Sequence, residues 1–167
     1  MQLVTPSLKW ESEHQAYCKE WGSSKMIPNS FSLDGYTDYS VYLKALRLKQ
    51  KGSEHWVPNS NYFLVNGEQK IVAMVSIRHE LNDFLWREGG HIGYSVRPSQ
   101  RRKGYGARIL EEALAKCKQL ELGDILVTCA ATNVGSAKVI MHNGGVEAES
   151  HRDENDLETR RFWIKNG

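Results

Sequence analysis

The segment from His91 to Cys129 constrains the fold more than any other part of the chain. A strand-like run, His91–Val96, ends at Arg97-Pro98, and a second short apolar run, Ile125–Cys129, is typical of a buried strand. Between them, apolar residues recur at helical spacing: Ile109, Leu110, Ala113, Leu114 and Cys117. Strand, helix and strand in this order predict a crossover connection, which joins two parallel strands.

The rest of the chain predicts further helices and antiparallel strands. Aromatic and apolar residues at helical spacing indicate helices near Trp10–Trp21, Asp38–Gln50 and 135–143. Two apolar runs, Tyr62–Val65 and Ile71–Ile77, flank Asn66-Gly67 and predict two strands of a hairpin joined by an Asn-Gly turn. A last antiparallel hairpin is expected from Val146–Ser150 and 159–165. We therefore expect an α/β (α+β) fold in one continuous domain over residues 1–167.

Composition and charge limit the classes of function. The chain has 22 Lys+Arg against 20 Asp+Glu, a formal net charge of +2, which argues against a dedicated nucleic-acid or membrane-surface protein. The three cysteines, Cys18, Cys117 and Cys129, have no metal-ligand spacing, so we expect no metal site. No apolar run approaches the length of a membrane helix, and the start lacks the pattern of a signal peptide. We expect a cytoplasmic protein without nucleic-acid or membrane partners.

A basic, glycine-containing loop lies between the first parallel strand and the following helix. It runs from Arg97 to Gly106, at a helix N-terminus, where backbone N–H groups and the helix dipole favour an anion. Gly104 and Gly106 would let the backbone approach phosphate oxygens, and the side chains of Arg101, Arg102 and Lys103 would add charged contacts. The alternative is a solvated basic turn that opens an ordinary helix. Neither a P-loop nor a Rossmann fingerprint fits these residues.

The loop and its context resemble the GNAT superfamily of acyl-CoA-dependent N-acetyltransferases. The pattern Arg101-x-x-Gly104-x-Gly106 is similar to the pyrophosphate loop of that superfamily, and Asn133-x-x-Ser136 resembles its second conserved element. The resemblance covers roughly 61–165 and extends to a bacterial group of predicted acetyltransferases with an unassigned acceptor. It implies a mixed, mostly antiparallel twisted sheet with a central parallel strand pair and flanking helices.

The resemblance also implies where acetyl-CoA would bind. The pantetheine arm would lie beside Tyr94, Ser95 and Val96, with a backbone N–H near Val96 polarising the thioester carbonyl. The adenine end would lie near Asn133, Ser136 and Lys138. The pyrophosphate would bind the loop residues, which are Arg101, Arg102, Lys103, Gly104, Tyr105, Gly106 and Ala107.

Catalytic candidates are less well defined than the cofactor loop. His91 stands where related N-terminal acetyltransferases often carry a Glu, so it is a candidate base, although it could equally be a hydrogen-bonded strand histidine. His79 is a second candidate base, or a residue that fixes a turn. Many enzymes of the superfamily use a tyrosine as the general acid, and Ile140 occupies that position here. Tyr94, Ser136 or His142 could therefore protonate the CoA thiolate, or the thiolate could leave unaided. We expect Cys129 to be a buried filler rather than a nucleophile.

The sequence therefore predicts an N-acetyltransferase that moves an acetyl group from acetyl-CoA to a primary amine by direct attack in a ternary complex. Residues 61–165 would form the acyl-CoA-binding core, and residues 1–60 would lie on the acceptor side. A small-molecule amine and a peptide or protein N-terminus remain open as acceptors, and a homodimer is possible. A non-catalytic acyl-CoA-binding or interaction module is the alternative, and a site for another nucleotide is a third hypothesis.

Overall fold

The computed structural model describes residues 1–167 and contains a seven-stranded sheet flanked by helices. The strands are β1 (Gln2–Val4), β2 (Asn59–Val65), β3 (Ile71–Arg78), β4 (Ile92–Val96), β5 (Ile125–Ala130), β6 (Val146–Arg152) and β7 (Glu158–Ile164). The α-helices are α1 (Glu11–Lys19), α2 (Tyr39–Gln50), α3 (Tyr105–Gln119) and α4 (Val134–His142). None of the helices is long and apolar enough to cross a membrane.

The strand order is β1-β2-β3-β4-β5-β7-β6. Every neighbouring pair is antiparallel except β4 and β5, which are parallel and are joined through α3. The predicted fold class is confirmed, because the sheet is mixed and mostly antiparallel with one central parallel pair. The crossover prediction is confirmed for the same reason.

The two faces of the sheet carry different layers. On the face that we call the α3 face, α3 and α4 cover the larger apolar core, which includes Val75, Ile92, Ile109, Val127 and Ile140. On the opposite face, which we call the α1 face, α1 and the segment after it cover a second core with Tyr17, Phe31, Phe63 and Met74. Successive side chains of β4 alternate between these faces, so Tyr94 lies on the α3 face and Ser95 on the α1 face.

The predicted β2–β3 hairpin is confirmed, with residues 66–70 as its connection. The Asn66 side chain accepts hydrogen bonds from the N–H groups of Glu68 and Lys70, and this Asx-type closure shapes the loop. The short edge strand β1 and a π-helical turn, Leu85–Gly89, were not predicted, because neither carries a periodic apolar pattern.

Candidate active site

The parallel strands β4 and β5 form a fork that opens toward the C-terminal end of β4. They pair only at Ile92 and Val127, and no register continues beyond that point. On its other side, β4 bonds to β3 through Arg78 N–H to the His91 carbonyl and Arg97 N–H to the Val72 carbonyl. Antiparallel pairs alternate between hydrogen-bonded and non-bonded residues, so the backbone groups of Tyr94 and Val96 point away from β3 and into the fork.

Ser95 has a different position from the one that the resemblance implied. By the same alternation, its backbone faces Met74 of β3 rather than the fork. Its hydroxyl forms a hydrogen bond of 2.9 Å with the Tyr17 hydroxyl on the α1 face. Ser95 therefore ties β4 to α1 and leaves the open edge of the fork to Tyr94 and Val96.

His91 lies at the closed end of the fork and forms two hydrogen bonds with the backbone of Leu126 in β5. Its N–H donates to the Leu126 carbonyl at 2.7 Å, and its Nδ1 accepts from the Leu126 N–H at 3.0 Å. Because a backbone N–H can only donate, the neutral ring carries its proton on Nε2 and has no free lone pair. Burial, reinforced by the nearby Arg78 cation, lowers the pKa of His91. This geometry favours a structural histidine over a base.

The loop before α3 presents a series of unused backbone donors. Arg101 N–H bonds to the Pro98 carbonyl, and Arg108 N–H bonds to the Gly104 carbonyl. The N–H groups of every residue from Arg102 to Ala107, which we call the loop amides, have no acceptor in the protein. Positive φ angles at Arg102 (65°) and Gly104 (82°) turn the chain here. A row of free N–H groups at the start of a helix is a typical anion site.

The two glycines of this loop have separate roles. Gly104 is the N-cap of α3 in the left-handed conformation, and a Cβ there would meet no atom within 4 Å. Gly106 instead permits α3 to pack on α4, because a Cβ there would lie 3.3 Å from Cγ2 of Val139. Only Gly104 therefore has the open surroundings that the sequence prediction gave to both.

The basic side chains of the loop are exposed at its rim. The Arg101 guanidinium lies 5.1 Å from the centroid of the Trp21 ring, and its Nε is 3.4 Å from the Val96 carbonyl oxygen. Lys103 Nζ donates to Gln100 Oε1 at 3.1 Å. Arg102 makes no side-chain hydrogen bond or ion pair within the protein, so its charge is available to an anionic ligand.

An ion-pair network that the sequence did not reveal anchors the loop to α1. Arg97 is only 5% exposed and pairs with Glu13 and with Glu20, the latter through Nε at 2.6 Å. The other oxygen of Glu20 accepts the Ser99 N–H at 3.1 Å. Partial burial opposes ionisation, but the hydrogen bonds from Ser99 and Arg97 outweigh it and lower the pKa of Glu20. The residues are far apart in sequence, so no local pattern signals this contact.

Tyr94 and Ser136 meet across the fork on the α3 face. The Tyr94 hydroxyl lies 2.9 Å from the Ser136 hydroxyl. Asn133 is the N-cap of α4, and its Oδ1 accepts the Ser136 N–H at 3.0 Å, which fixes Ser136 at the start of the helix. Burial raises the pKa of Tyr94 to about 12, although the Ser136 hydrogen bond acts in the opposite direction. The Tyr94 hydroxyl is therefore neutral at pH 7 and can donate a hydrogen bond.

Of the remaining candidate residues, His79 and His142 lie away from the open end of the fork. His79 follows the last residue of β3, beside the closed end of β4, and its Nε2 lies 2.9 Å from Ser60 Oγ. His142 ends α4, about 9 Å along the helix axis from Ser136. Lys138 is exposed on α4. Cys129 is 8% exposed within the core of the α3 face, and burial raises the pKa of its thiol, so it is a poor nucleophile.

Comparison with known families agrees with this geometry. The family model described as the acetyltransferase (GNAT) family matches residues 15–144. The chain belongs to the GNAT acetyltransferase family. It is therefore an acyltransferase enzyme of a family that uses acetyl-CoA as co-substrate. No curated protein sequence matches this GNAT chain.

Solved GNAT structures share the whole fold at low sequence identity. Spermidine N-acetyltransferase from Vibrio cholerae in complex with CoA and spermine is 16% identical, with 99% of this chain and 95% of that chain covered and a TM-score of 0.66. A SpeG variant of the same enzyme gives 14% identity, coverage of 99% and 95%, and a TM-score of 0.67. A protein assigned provisionally as a phosphinothricin N-acetyltransferase gives 15% identity, coverage of 99% and 98%, and a TM-score of 0.63.

Proposed function

We propose that this chain transfers an acetyl group from acetyl-CoA to a primary amine by direct attack in a ternary complex. The observation that carries the proposal is the set of loop amides from Arg102 to Ala107, which lies directly beyond the open end of the β4–β5 fork. A phosphate site next to an unpaired strand edge fits a ligand with a pyrophosphate and an extended amide-containing arm.

Each part of the site would hold a different part of acetyl-CoA. The loop amides, with Arg101, Arg102 and Lys103 at the rim, would bind the pyrophosphate. The backbone groups of Tyr94 and Val96 would pair with the amides of the pantetheine arm, as a missing strand would. The Val96 N–H would also polarise the thioester carbonyl. Asn133, Ser136 and Lys138 border the same opening from α4.

The acceptor would approach the fork from the α1 face. On the α3 face, α3 and α4 pack on the larger core beside the fork. On the α1 face, β4 presents only the small residues Gly93 and Ser95 beside the fork. Two residues of the N-terminal segment cover β4 on this face: Tyr17 bonds to Ser95, and Pro28 lies against Gly93. These contacts support an acceptor-side role for the segment.

The proton balance of the reaction points to Tyr94. The amine nitrogen forms a bond to the acetyl carbon while the carbon–sulfur bond breaks, so the amine loses one proton and the thiolate gains one. The Tyr94 hydroxyl, with Ser136 as its partner, would donate a hydrogen bond to the departing sulfur. Because its pKa of about 12 exceeds that of a thiol, Tyr94 would stabilise the thiolate rather than transfer its proton completely.

Deprotonation of the amine would not use His91. Its Nδ1 lone pair is occupied by the Leu126 N–H, and His79 lies at the other end of β4. The amine would therefore react in its neutral form and release its proton to water. We expect kcat/KM to rise with pH through the pKa of the acceptor amine itself.

Steady-state kinetics test the direct transfer. Thiol release from acetyl-CoA would be measured over a panel of primary amines, with both substrates varied. Direct attack in a ternary complex predicts intersecting double-reciprocal lines, and the Cys129→Ala variant should retain the wild-type pattern. Parallel lines, together with loss of turnover in Cys129→Ala, would contradict the proposal, because they indicate an acyl-enzyme intermediate.

A further inference from the structure

Arg78 places a guanidinium group on the α1 face, directly over β4. Its Nη1 donates to the carbonyl oxygens of Gly89 (2.8 Å) and Gly90 (3.3 Å). A Cβ on Gly93 would lie 3.3 Å from both Nη1 and Nη2 of Arg78 and 3.3 Å from Cβ of Pro28. The absence of a side chain at Gly93 thus lets the guanidinium lie directly against the strand that carries the fork.

Most of the hydrogen-bonding capacity of Arg78 is unused. Only Nη1 has acceptors, and no carboxylate pairs with this side chain. Trp21 Nε1 is the only completely buried side-chain polar atom without a partner, so the unpaired Nε and Nη2 of Arg78 keep some solvent access. Burial lowers the pKa of Arg78. A partly buried cation without an anion costs folding free energy. Arg97, the other buried arginine on this face, pairs with two carboxylates.

Arg78 lies close to the point where the fork opens, so its unpaired cation can contact an acceptor that binds there. Gly93 immediately precedes Tyr94, where the fork opens, and neighbouring Cα atoms are about 3.8 Å apart. Ser76 lies opposite Gly93 on β3, and its hydroxyl makes no hydrogen bond in the protein although the residue is only 3% exposed. A substrate that reaches the fork from the α1 face would pass beside these groups.

We propose that the acceptor is a free amino acid whose carboxylate binds the Nε and Nη2 edge of Arg78 while its amine reaches the fork beside Tyr94. This inference rests on the proposed acetyl transfer and names its substrate class. The planar guanidinium matches a carboxylate with two parallel hydrogen bonds, and the Ser76 hydroxyl can donate a third. The small distance between Gly93 and Tyr94 requires the amine and the carboxylate to be close together in the acceptor.

Other acceptor classes fit these groups less well. A peptide N-terminus has an amide where a free amino acid has its carboxylate, so Arg78 would remain without an anion. A polyamine would bring further positive charge to a site that already contains an unpaired cation. Both classes therefore serve as comparison substrates.

The experiment measures kcat/KM for the twenty standard amino acids, for their amides and for spermidine, with acetyl-CoA binding measured separately by calorimetry. Arg78→Gln removes the charge, Arg78→Lys keeps it without the planar edge, and Arg87→Gln removes the charge of an exposed arginine nearby as the matched control. The quantity that decides is the ratio of kcat/KM for an amino acid to kcat/KM for its own amide, because a general loss of structure lowers both terms together.

We expect at least one amino acid to exceed its amide about tenfold or more in the wild type and in Arg87→Gln. In Arg78→Gln this ratio should fall toward one, and Arg78→Lys should restore part of it. Equal ratios in wild type and Arg78→Gln would overturn the inference and leave Arg78 as a clamp for Gly89 and Gly90. Acetyl-CoA binding with acetylation of amides or spermidine alone would also overturn it. Absence of acetyl-CoA binding would instead reject the proposed function itself.

Discussion

His91 and Leu126 exchange two hydrogen bonds at the closed end of the fork, one through the backbone and one through the imidazole ring. The distances are 2.7 Å from His91 N to Leu126 O and 3.0 Å from Leu126 N to His91 Nδ1. The imidazole ring thus accepts the Leu126 N–H in place of a backbone carbonyl at the end of the hydrogen-bonded β4–β5 pair. Since β4 and β5 separate just beyond this point, the His91 clamp sets where the fork closes.

The His91 clamp predicts opposite results for two substitutions. An Asn oxygen can take the place of Nδ1, so His91→Asn should keep kcat within a few-fold of wild type and leave the shape of its pH profile unchanged. His91→Ala leaves the buried Leu126 N–H without an acceptor and should cost about 1–3 kcal/mol in the free energy of unfolding. Urea unfolding and pH–rate profiles would check both. A loss of kcat in His91→Asn as large as in His91→Ala, without loss of stability, would restore His91 as a base.

Tyr94→Phe should lower kcat by about tenfold and leave the KM for acetyl-CoA nearly unchanged. The loss of one hydrogen bond to the departing thiolate raises the activation free energy by roughly 1–1.5 kcal/mol. The loss of full general acid catalysis would instead lower the rate by about 10²–10⁴-fold. Tyr62→Phe is the matched control, because Tyr62 lies on the same face of the sheet in β2 and its hydroxyl bonds to no protein group. An unchanged kcat in Tyr94→Phe would show that the thiolate leaves unaided.

Glu20→Gln should weaken acetyl-CoA binding without unfolding the protein. The substitution removes the charge that holds Arg97 and the Ser99 N–H, so the chain leading to the loop amides becomes less restrained. Because Glu20 is partly exposed, we expect a loss of only about 1 kcal/mol in the free energy of unfolding. Glu11→Gln at the other end of α1 is the control, since the only side-chain hydrogen bond of Glu11 is the one from Gln15. Equal acetyl-CoA affinity in the two variants would argue against this anchoring role.

His14 predicts a loss of stability in mild acid. Burial among aromatic rings lowers the pKa of His14 to about 4, although the Phe31 carbonyl, which accepts the Nε2 proton, acts in the opposite direction. Between pH 6.5 and 4 the unfolded chain binds a proton that the folded chain does not, so the stabilisation present above pH 6.5 is lost as the pH falls. From pH 7 to pH 5 this one group should cost about 2 kcal/mol.

Urea unfolding at the two pH values checks the His14 prediction against His14→Gln, whose amide can still donate to the Phe31 carbonyl. The variant should lose about 2 kcal/mol less than the wild type between pH 7 and pH 5, because it removes the titrating group. An identical pH dependence of both proteins would show that other groups cause the acid sensitivity.

Much of the fold was predictable because it depends on local pattern. The apolar spacing from Ile109 to Cys117 predicted α3, and the short apolar run Ile125–Cys129 predicted β5 and hence the parallel pair. Asp38 was a correct start for α2, since its side chain accepts the Ser40 N–H as an N-cap. The hairpin around Asn66-Gly67 was predictable too, but the side-chain hydrogen bonds of Asn66 that close its loop leave no periodic signal.

The site was predictable only where it is continuous in sequence. The loop at Arg101–Ala107 carries its own signal in glycines and basic residues, and the structure adds that its amides are free. The partnership of Arg97 with Glu13 and Glu20 joins residues that are 84 and 77 positions apart, so no spacing indicates it. Likewise, the occupied Nδ1 of His91 and the free edge of Arg78 depend on tertiary contacts, which decide between a structural and a chemical role.

Acetyl-CoA binding to two variants of Gly104, measured by calorimetry, tests the central claim that the loop amides hold the pyrophosphate. Asn and Asp both tolerate the left-handed conformation of Gly104 and both cap a helix, but only Asp adds a negative charge beside the loop amides. We expect wild-type binding with a Kd on the order of micromolar and at least tenfold weaker binding by Gly104→Asp than by Gly104→Asn, with both variants folded. Equal affinity in the two variants, or no binding by the wild type, would show that the loop amides do not hold the pyrophosphate.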